Sequence, residues 1–469
     1  MRKKVLKVKD LWFRYPNSNW ILKSLNLELY EGETLLVIGR SGCGKTTLIR
    51  ALTGTGMHIY GGEARGEVEV DGKRLEEYSL EELRKVIQVV NQDPRTHFVY
   101  PNIYEDLYTY AIQIYRDEKK AVEALELVSN SLKIKNLFNR LYFELSGGEL
   151  RRTVIAKAIL SKPKIIIFDE PLMWLDDIGV EYYLNVIESL RSYGISILIF
   201  EHRFMPLVNH IDRALILANG FTREMSLDVF RKPFYSMQNE VKSYISSDER
   251  GISINNLWFK YDGDWVLRNI YIDISRDDAV AIYGSNGSGK STLLKIIAGY
   301  LKPVKGTVKR FGKAIYIPQL ISLFFTEESI ELELRSICRN SDDFKKCYSK
   351  GYSILRSYGF DDLSQTPFNL SWGQQERLAI ALALIANYNI FLLDEPFSGL
   401  TYLDRATLVD YLKSLPGAKI VTISSRDSIP FLSGFKLYSL HNGSVIRDFT
   451  DYRVSQRIDL NNLNLIYSE

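Results

Sequence analysis

"VIGRSGCGKTTLI" at 37–49 and "IYGSNGSGKSTLL" at 282–294 are two copies of one pattern, G-x-x-x-x-G-K-[ST], within a single chain. Each follows an apolar run and opens into a helical one. In that setting Gly39, Gly42 and Gly44, and likewise Gly284, Gly287 and Gly289, let backbone N–H groups wrap an anion. Ser41, Thr47, Asn286 and Thr292 complete the two loops. Lys45 and Lys290 are placed to reach β- and γ-phosphates, and the next hydroxyls, Thr46 and Ser291, suit Mg2+. The chain is therefore expected to hold a nucleoside triphosphate twice.

Working outward, "KIIIFDEP" (164–171) and "NIFLLDEP" (389–396) are apolar strands that end in two carboxylates. That is the form of a buried parallel strand delivering charge at its C-terminal end. Asp169 and Asp394 are expected to hold Mg2+ through water, and Glu170 and Glu395 to polarise the water that attacks the γ-phosphate. The alternative is an acidic cap on the following turn. The halves match at Tyr15 and Tyr261, Lys45 and Lys290, Gln92 and Gln319, Ser146 and Ser371, and Asp169 and Asp394, always in that order. The separation of the copies drops from 245 to 227 only across 54–85, an insertion the size of a loop and an edge strand. Two domains are predicted, 1–246 and 247–469, with the join near "YISSDERGISI" (244–254) and no Gly/Ser- or Pro-rich tether there.

Composition bounds the rest. With 46% hydrophobic and 25% charged residues the chain is an ordinary folded protein with a large core. A net charge of +3 over 469 residues is too small for a nucleic-acid footprint, and the basic start "MRKKVLKVKD" reads as a solvated strand edge. Cys43, Cys338 and Cys347 show no CxxC spacing, which supports neither a disulfide framework nor a zinc or iron–sulfur site and suits a reducing compartment. Cys43 is expected to be a space-filler in its loop. The longest apolar run, "LAIALALIANYNIFLL" (378–393), is short for a membrane span and reads as a buried helix, a turn and a buried strand. No direct membrane span and no leader segment are expected.

"ELSGGELRRT" (144–153) and "NLSWGQQERL" (369–378) complete the pattern. A phosphate loop, a glutamine, LSGG and a DE-ended strand in that order resemble the ATP-binding-cassette ATPases, over nearly the whole chain and twice. The resemblance implies an α/β fold of two tandem ATP-binding-cassette domains. Each would be a P-loop NTPase core with an antiparallel β subdomain and a helical signature subdomain, using ATP and Mg2+. It also implies that the signature segment of one domain closes over the nucleotide of the other, through Ser146, Gly147 and Gly148 in one copy and Ser371, Gly373 and Gln374 in the other. By the same resemblance Tyr15 and Tyr261 would stack on adenine, Gln92 and Gln319 would touch Mg2+ or the attacking water, and His202 would contact the γ-phosphate. Taken singly, such a tyrosine or histidine also suits simple packing.

The copies differ. Trp372 replaces Gly147, a bulky exchange at a point expected to be a tight backbone contact. Counting from Gly194 and Gly417, Ser425 falls at the place of His202, and Thr401 at that of Asp176. Two unequal ATP sites are expected, at least one hydrolysing slowly.

Within the family the chain most resembles the energy-coupling-factor ATPases of vitamin and metal-ion importers, through "HIYGGEARGEVEVDG" (58–72), "VVNQDPRTHFVYPNIYEDLYTYA" (89–111) and "FEHRFMPLVNHIDRALILANG" (200–220). That implies an integral-membrane scaffold subunit and a substrate-binding membrane subunit as partners, no nucleic acid, and a place on the cytoplasmic face of the membrane. The cassettes would pair within the chain or as a homodimer. After Gln92, Ile103, Leu107, Ala111 and Ile114 fall at helical spacing, leaving Tyr104, Tyr108 and Tyr115 near a second face that suits a partner helix or ordinary packing. The competing class is a soluble twin-cassette ATPase of ribosomes or translation. The iron–sulfur region or the charged helical linker of such proteins is absent from this sequence.

Overall fold

The computed structural model describes residues 2–40, 42–231, 235–237, 249–339, 341–447 and 456–458. The expected boundary at 246/247 and Ser41 lie outside the described residues. The chain forms two compact units: the first holds the residues up to Met173 and those from Gly179 into the helix Leu227–Arg231, the second Trp174–Ile178 and the residues from Tyr235 onward.

In the first unit a six-stranded sheet runs Phe221–Met225, Arg213–Ala218, Thr34–Ile38, Ser196–Phe200, Ile165–Asp169 and Ile87–Val90, parallel except for the first strand. The strands Thr34–Ile38, Ile165–Asp169 and Ser196–Phe200 are buried at every position. Both faces are covered, which is why these segments are unbroken apolar runs in the sequence. Leu48, Ile49, Ala51 and Leu52 of the helix Lys45–Leu52 pack on one face, against the antiparallel sheet Leu22–Tyr30, Lys4–Arg14, Glu63–Val70 and Lys73–Arg74. A separate cluster joins the helices Ile103–Tyr115, Glu118–Ser131 and Gly147–Leu160 through Ile103, Leu107, Leu125 and Ala156.

The second unit repeats the plan. Its six-stranded sheet is Ala314–Ile317, Ile390–Leu393, Ala418–Ile423, Ala279–Tyr283, Lys436–His441 and Ser444–Arg447, and its antiparallel sheet has three strands. Where the copies differ in length, the helix Thr55–His58, the hairpin strand Lys73–Arg74 and the helix Leu80–Val86 have, among the described residues, no counterpart in the second unit. The run 378–393 forms the end of the helix Trp372–Ile385, a turn and the strand Ile390–Leu393.

Two expectations are corrected. The basic N-terminal stretch is an inner strand of its sheet, not an edge, and Lys3, Lys4 and Lys7 pair with Asp71, Glu28 and Glu69. Cys338 and Cys347 form a disulfide with a Cα–Cα distance of 5.6 Å. The helices Ile330–Cys338 and Phe344–Ser357 turn back on each other, so proximity comes from the helical hairpin and not from a short cysteine spacing.

Candidate active site

Both phosphate loops depend on glycine for shape. Gly42 and Gly44 have φ of 80° and 105°, and Gly287 and Gly289 have 80° and 101°, all in the left-handed region. A Cβ on Gly39 would strike Cys43 Sγ and the Leu217 carbonyl, and one on Gly284 the Leu440 carbonyl. Cys43 thus fills space under the loop, and burial pushes its thiol up. The helices that follow, Lys45–Leu52 and Lys290–Ala298, have no acidic residue in the first turn and no side-chain cap. Their first N–H groups are left for an anion. A Cβ at Gly42 or Gly287 would meet nothing within 4 Å, so the loops have room for a phosphate. In the second unit the Asn286 amide already donates to a carboxylate, Asp176 Oδ2, at 2.9 Å.

Lys45 Nζ donates to the Gly39 and Arg40 carbonyls (2.9 and 3.2 Å) and lies 3.3 Å from Glu170 Oε1. Lys290 repeats this with Gly284, Ser285 and Glu395 at 2.6, 3.0 and 3.2 Å. Glu170 and Glu395 stand at φ of 48° and 50°. That conformation costs a non-glycine residue about 1–2 kcal/mol, and such strain concentrates at functional sites. The strand ends hold each carboxylate in place against it.

In the first unit Thr46, Gln92, Asp169, Glu170 and His202 converge at the C-terminal ends of the parallel strands. Thr46 Oγ1 is 3.4 Å from Asp169 Oδ2, Gln92 Nε2 donates to Glu170 Oε2 at 2.9 Å, and His202 Nδ1 is 3.6 Å from Glu170 Oε1. Burial pushes Glu170 up, but His202 and Lys45 outweigh it and hold the carboxyl at about 2. Burial, with Glu170 alongside, raises Asp169 to about 6. Among the described residues no cluster of three His, Cys, Asp or Glu side chains could ligate a metal alone. Thr46 and Asp169 suit Mg2+ whose other ligands are phosphate and water.

The second unit surrounds the same carboxylates with hydroxyls. Tyr316 and Thr422 donate to Asp394 Oδ2 and Oδ1, each at 2.8 Å, and Ser424 donates to Glu395 Oε2 from both N and Oγ at 3.0 Å. Burial raises Glu395, with Lys290 opposing. The sheet register also corrects the counting. Ile197 N donates to the Glu33 carbonyl and Lys419 N to that of Asp278, so Ser424, not Ser425, stands in line with His202. Helix and strand are three residues apart in both copies, but Gly194 stands two residues before its strand and Gly417 one, so the two glycines are not equivalent. By the same register Thr422 holds the place of Phe200 and Tyr316 that of Val89. No hydrogen bond joins Gln319 to Glu395 among the described residues.

Other expected residues fall elsewhere. Ser146 and Ser371 cap their helices in capping boxes with Glu149 and Gln374. A Cβ at Gly147 or Gly148 would meet nothing within 4 Å. Gly373 is closer packed, its Cβ position 3.3 Å from Leu400. Tyr15 OH accepts from Arg50 at 2.9 Å beside Tyr60, while Tyr261 is 52% exposed, with its hydroxyl 3.4 Å from Thr292 Oγ1. Sequence reasoning missed Tyr316, Thr422 and Ser424, for which no motif exists, and Met173, whose sulfur accepts from Gln92 at 2.8 Å.

On the helix Ile103–Tyr115, Tyr104 and Tyr108 stack at 5.6 Å, but Tyr115 is packed, donating to the Leu160 carbonyl. Asp106, buried on that helix, pairs with Lys157 at 2.7 Å. In the second unit Glu333 takes the place of Asp106 and Leu382 that of Lys157, and a cavity of about 480 Å³ opens there, lined by Tyr300, Tyr316, Phe324, Glu333, Leu382 and Tyr388. No described helix is long and apolar enough to cross a membrane.

The ABC transporter family profile matches residues 22–173 and 267–398, more than half of the chain. A protein of Sulfurisphaera tokodaii provisionally named an ABC transporter ATP-binding protein is 28% identical, over 94% of this chain and 97% of its own. One of Treponema denticola with the same provisional name is 27% identical, over 95% and 97%. Among solved structures, RNase-L Inhibitor superposes with a TM-score of 0.65 at 24% identity, over 93% of this chain and 90% of its own, a likeness of fold.

Proposed function

Because the chain belongs to the ABC transporter family of ATP-binding-cassette ATPases, whose domains bind ATP with Mg2+, we propose that it is the ATP-hydrolysing energy-coupling subunit of a membrane importer. The subtype is energy-coupling-factor, with vitamin or metal-ion cargo, and the chain sits on the cytoplasmic face of the membrane. Supporting the transport role are the names borne by relatives matched over 97% of their length, and the groove of about 480 Å³ beside Gln319. That groove has the size and aromatic lining to take a short helix of a membrane scaffold subunit.

In this reading Lys45, Lys290 and the loop amides hold the β- and γ-phosphates, and Tyr15 and Tyr261 lie against adenine. Thr46, Gln92 and Asp169 in one cassette, and Ser291, Gln319 and Asp394 in the other, are the groups that would hold Mg2+, which neutralises phosphate charge when bound. Glu170 accepts the proton of the attacking water, oriented by Gln92 and His202. Glu395 has the same role in the second cassette but has Ser424 in place of the histidine and no hydrogen bond to Gln319 among the described residues, and Asp394 has both oxygens engaged by hydroxyls. The single observation that carries the inequality is the hydroxyl of Ser424 at the place of His202, with no hydrogen bond from Gln319 to Glu395 among the described residues, and it makes the Glu170 carboxylate the faster base.

The test is affinity purification of the tagged chain from gently detergent-solubilised host membranes, with co-purifying proteins identified by mass spectrometry. Recovery of a helical scaffold protein with small, very apolar subunits is the expected result. Ribosomal proteins without a membrane partner would overturn the transport role and leave the ATPase chemistry standing.

A further inference from the structure

The segment after Glu170 is gripped in the first cassette by groups that no nucleotide motif contains. Arg151, one turn into the signature helix Gly147–Leu160, donates through one guanidinium nitrogen to the Pro171 carbonyl and through the other to that of Met173, at 2.5 Å for the latter. Arg203 donates to the Leu172 carbonyl at 2.6 Å, and Glu201 accepts from the Leu172 amide at 3.0 Å. Met173 in turn receives Gln92 on its sulfur, and the same Gln92 nitrogen reaches Glu170. A continuous path thus runs from the signature helix through Arg151 and Met173 to the glutamine segment and the carboxylate.

The second cassette has changed four of these positions together, Ser398 standing four residues after Asp394 as Met173 does after Asp169. Glu376 stands where Arg151 does on the matching helix, and the sheet register puts Ile423 in line with Glu201 and Ser425 with Arg203. Glu376 is 1% exposed, its Oε2 has no hydrogen-bond partner, and burial pushes the carboxyl well up. A carboxyl offers at most one donor and cannot replace a guanidinium in holding two carbonyls. A guanidinium suits the task because its donors are fixed in one plane, so holding two main-chain oxygens two residues apart costs little additional ordering.

We propose that Arg151 is a positioning residue, fixing the Glu170-bearing segment to the signature helix so that displacement of that helix is transmitted to Glu170 and Gln92, and that the second cassette lacks this link. The proposal rests on the reading of Glu170 as the first cassette's base.

The experiment uses the full chain in a Glu395→Gln background, where Glu170 is the remaining base, and measures kcat and KM for MgATP. Arg151→Gln lowers kcat about tenfold with KM within about twofold, and Arg151→Lys recovers part of the loss. Met173→Leu, which keeps the guanidinium and both carbonyls and removes only the sulfur, lowers kcat by about threefold without lowering Tm. Glu376→Gln, isosteric with a neutral acid, leaves both constants within about twofold. Arg151→Gln and Met173→Leu each leaving kcat within about twofold of the parent would overturn the link, as would a loss appearing wholly in KM. Glu170→Gln run alongside separates the two readings: no loss there removes the base assignment itself, whereas loss there with an indifferent Arg151→Gln removes only the link.

Discussion

At the scale of single residues the two cassettes carry the same Lys–Glu pair in different company. Glu170 has His202 at 3.6 Å and Gln92 at 2.9 Å, while Glu395, besides Lys290, is hydrogen-bonded among the described side chains by Ser424 alone. Glu170→Gln is expected to reduce steady-state ATPase by about a hundredfold, the scale of a lost general base, and Glu395→Gln by less than about threefold. Equal losses would count against inequality of the sites. His97 offers a pH test. Its Nε2 accepts from the Asn91 amide at 2.9 Å, and burial, with Lys157 adding to it, lowers its pKa from 6.5 to about 4. Below pH 6.5 the unfolded chain takes up a proton that the folded one refuses until about pH 4, so stability present above the upper value is lost as pH falls through that window. The loss is at most about 3 kcal/mol and smaller for a ring partly open to solvent. Thermal melts from pH 7 to pH 4.5 check it, since His97→Gln should flatten the slope.

Among elements, the contrast lies in what ties each helical subdomain together. The first uses Lys157, which reaches from the signature helix to Asp106 and to the His97 carbonyl at 2.7 and 2.6 Å. The second uses the covalent bond between Cys338 and Cys347, nine residues apart. Closing a loop of that length in the unfolded chain contributes about 2–3 kcal/mol. Cys347→Ser is expected to lower the Tm of the second cassette by several degrees, and dithiothreitol to bring the parent down to the same value. No change in either melt would show that the bond contributes nothing. The apolar helices and strands were legible because burial on both faces leaves an unbroken apolar run. The hairpin that joins the cysteines was not, because it depends on two helices packing back to back.

For the whole molecule, the feature that bears on partners is the groove beside Gln319. Where the first cassette fills the equivalent space with its own Lys157, the second leaves Glu333 at 7% exposure under a ring of aromatic side chains. Leu382→Lys supplies the missing cation to Glu333 and occupies the groove. The chain should then lose its membrane proteins on affinity purification and keep its ATPase within about twofold. Membrane partners retained at parental yield would exclude this groove as their docking site.

The sequence by itself determined the duplication, the two phosphate loops, the carboxylate-ended strands and the family, because each is written in a few consecutive residues whose spacing the backbone geometry demands. It placed Lys45, Asp169, Glu170 and Gln92 in order along the chain, and the parallel sheet carries their elements to one edge. Only the tertiary structure decided what surrounds them. That Ser424 lines up with His202, that Tyr316 and Thr422 close on Asp394, and that Arg151 reaches past Glu170 to Met173 all follow from strand register and helix packing between segments tens of residues apart. A glycine displaced by one residue within equally long turns was enough to shift the alignment of the strands Ser196–Phe200 and Ala418–Ile423, and hydrogen-bond register is what corrects it.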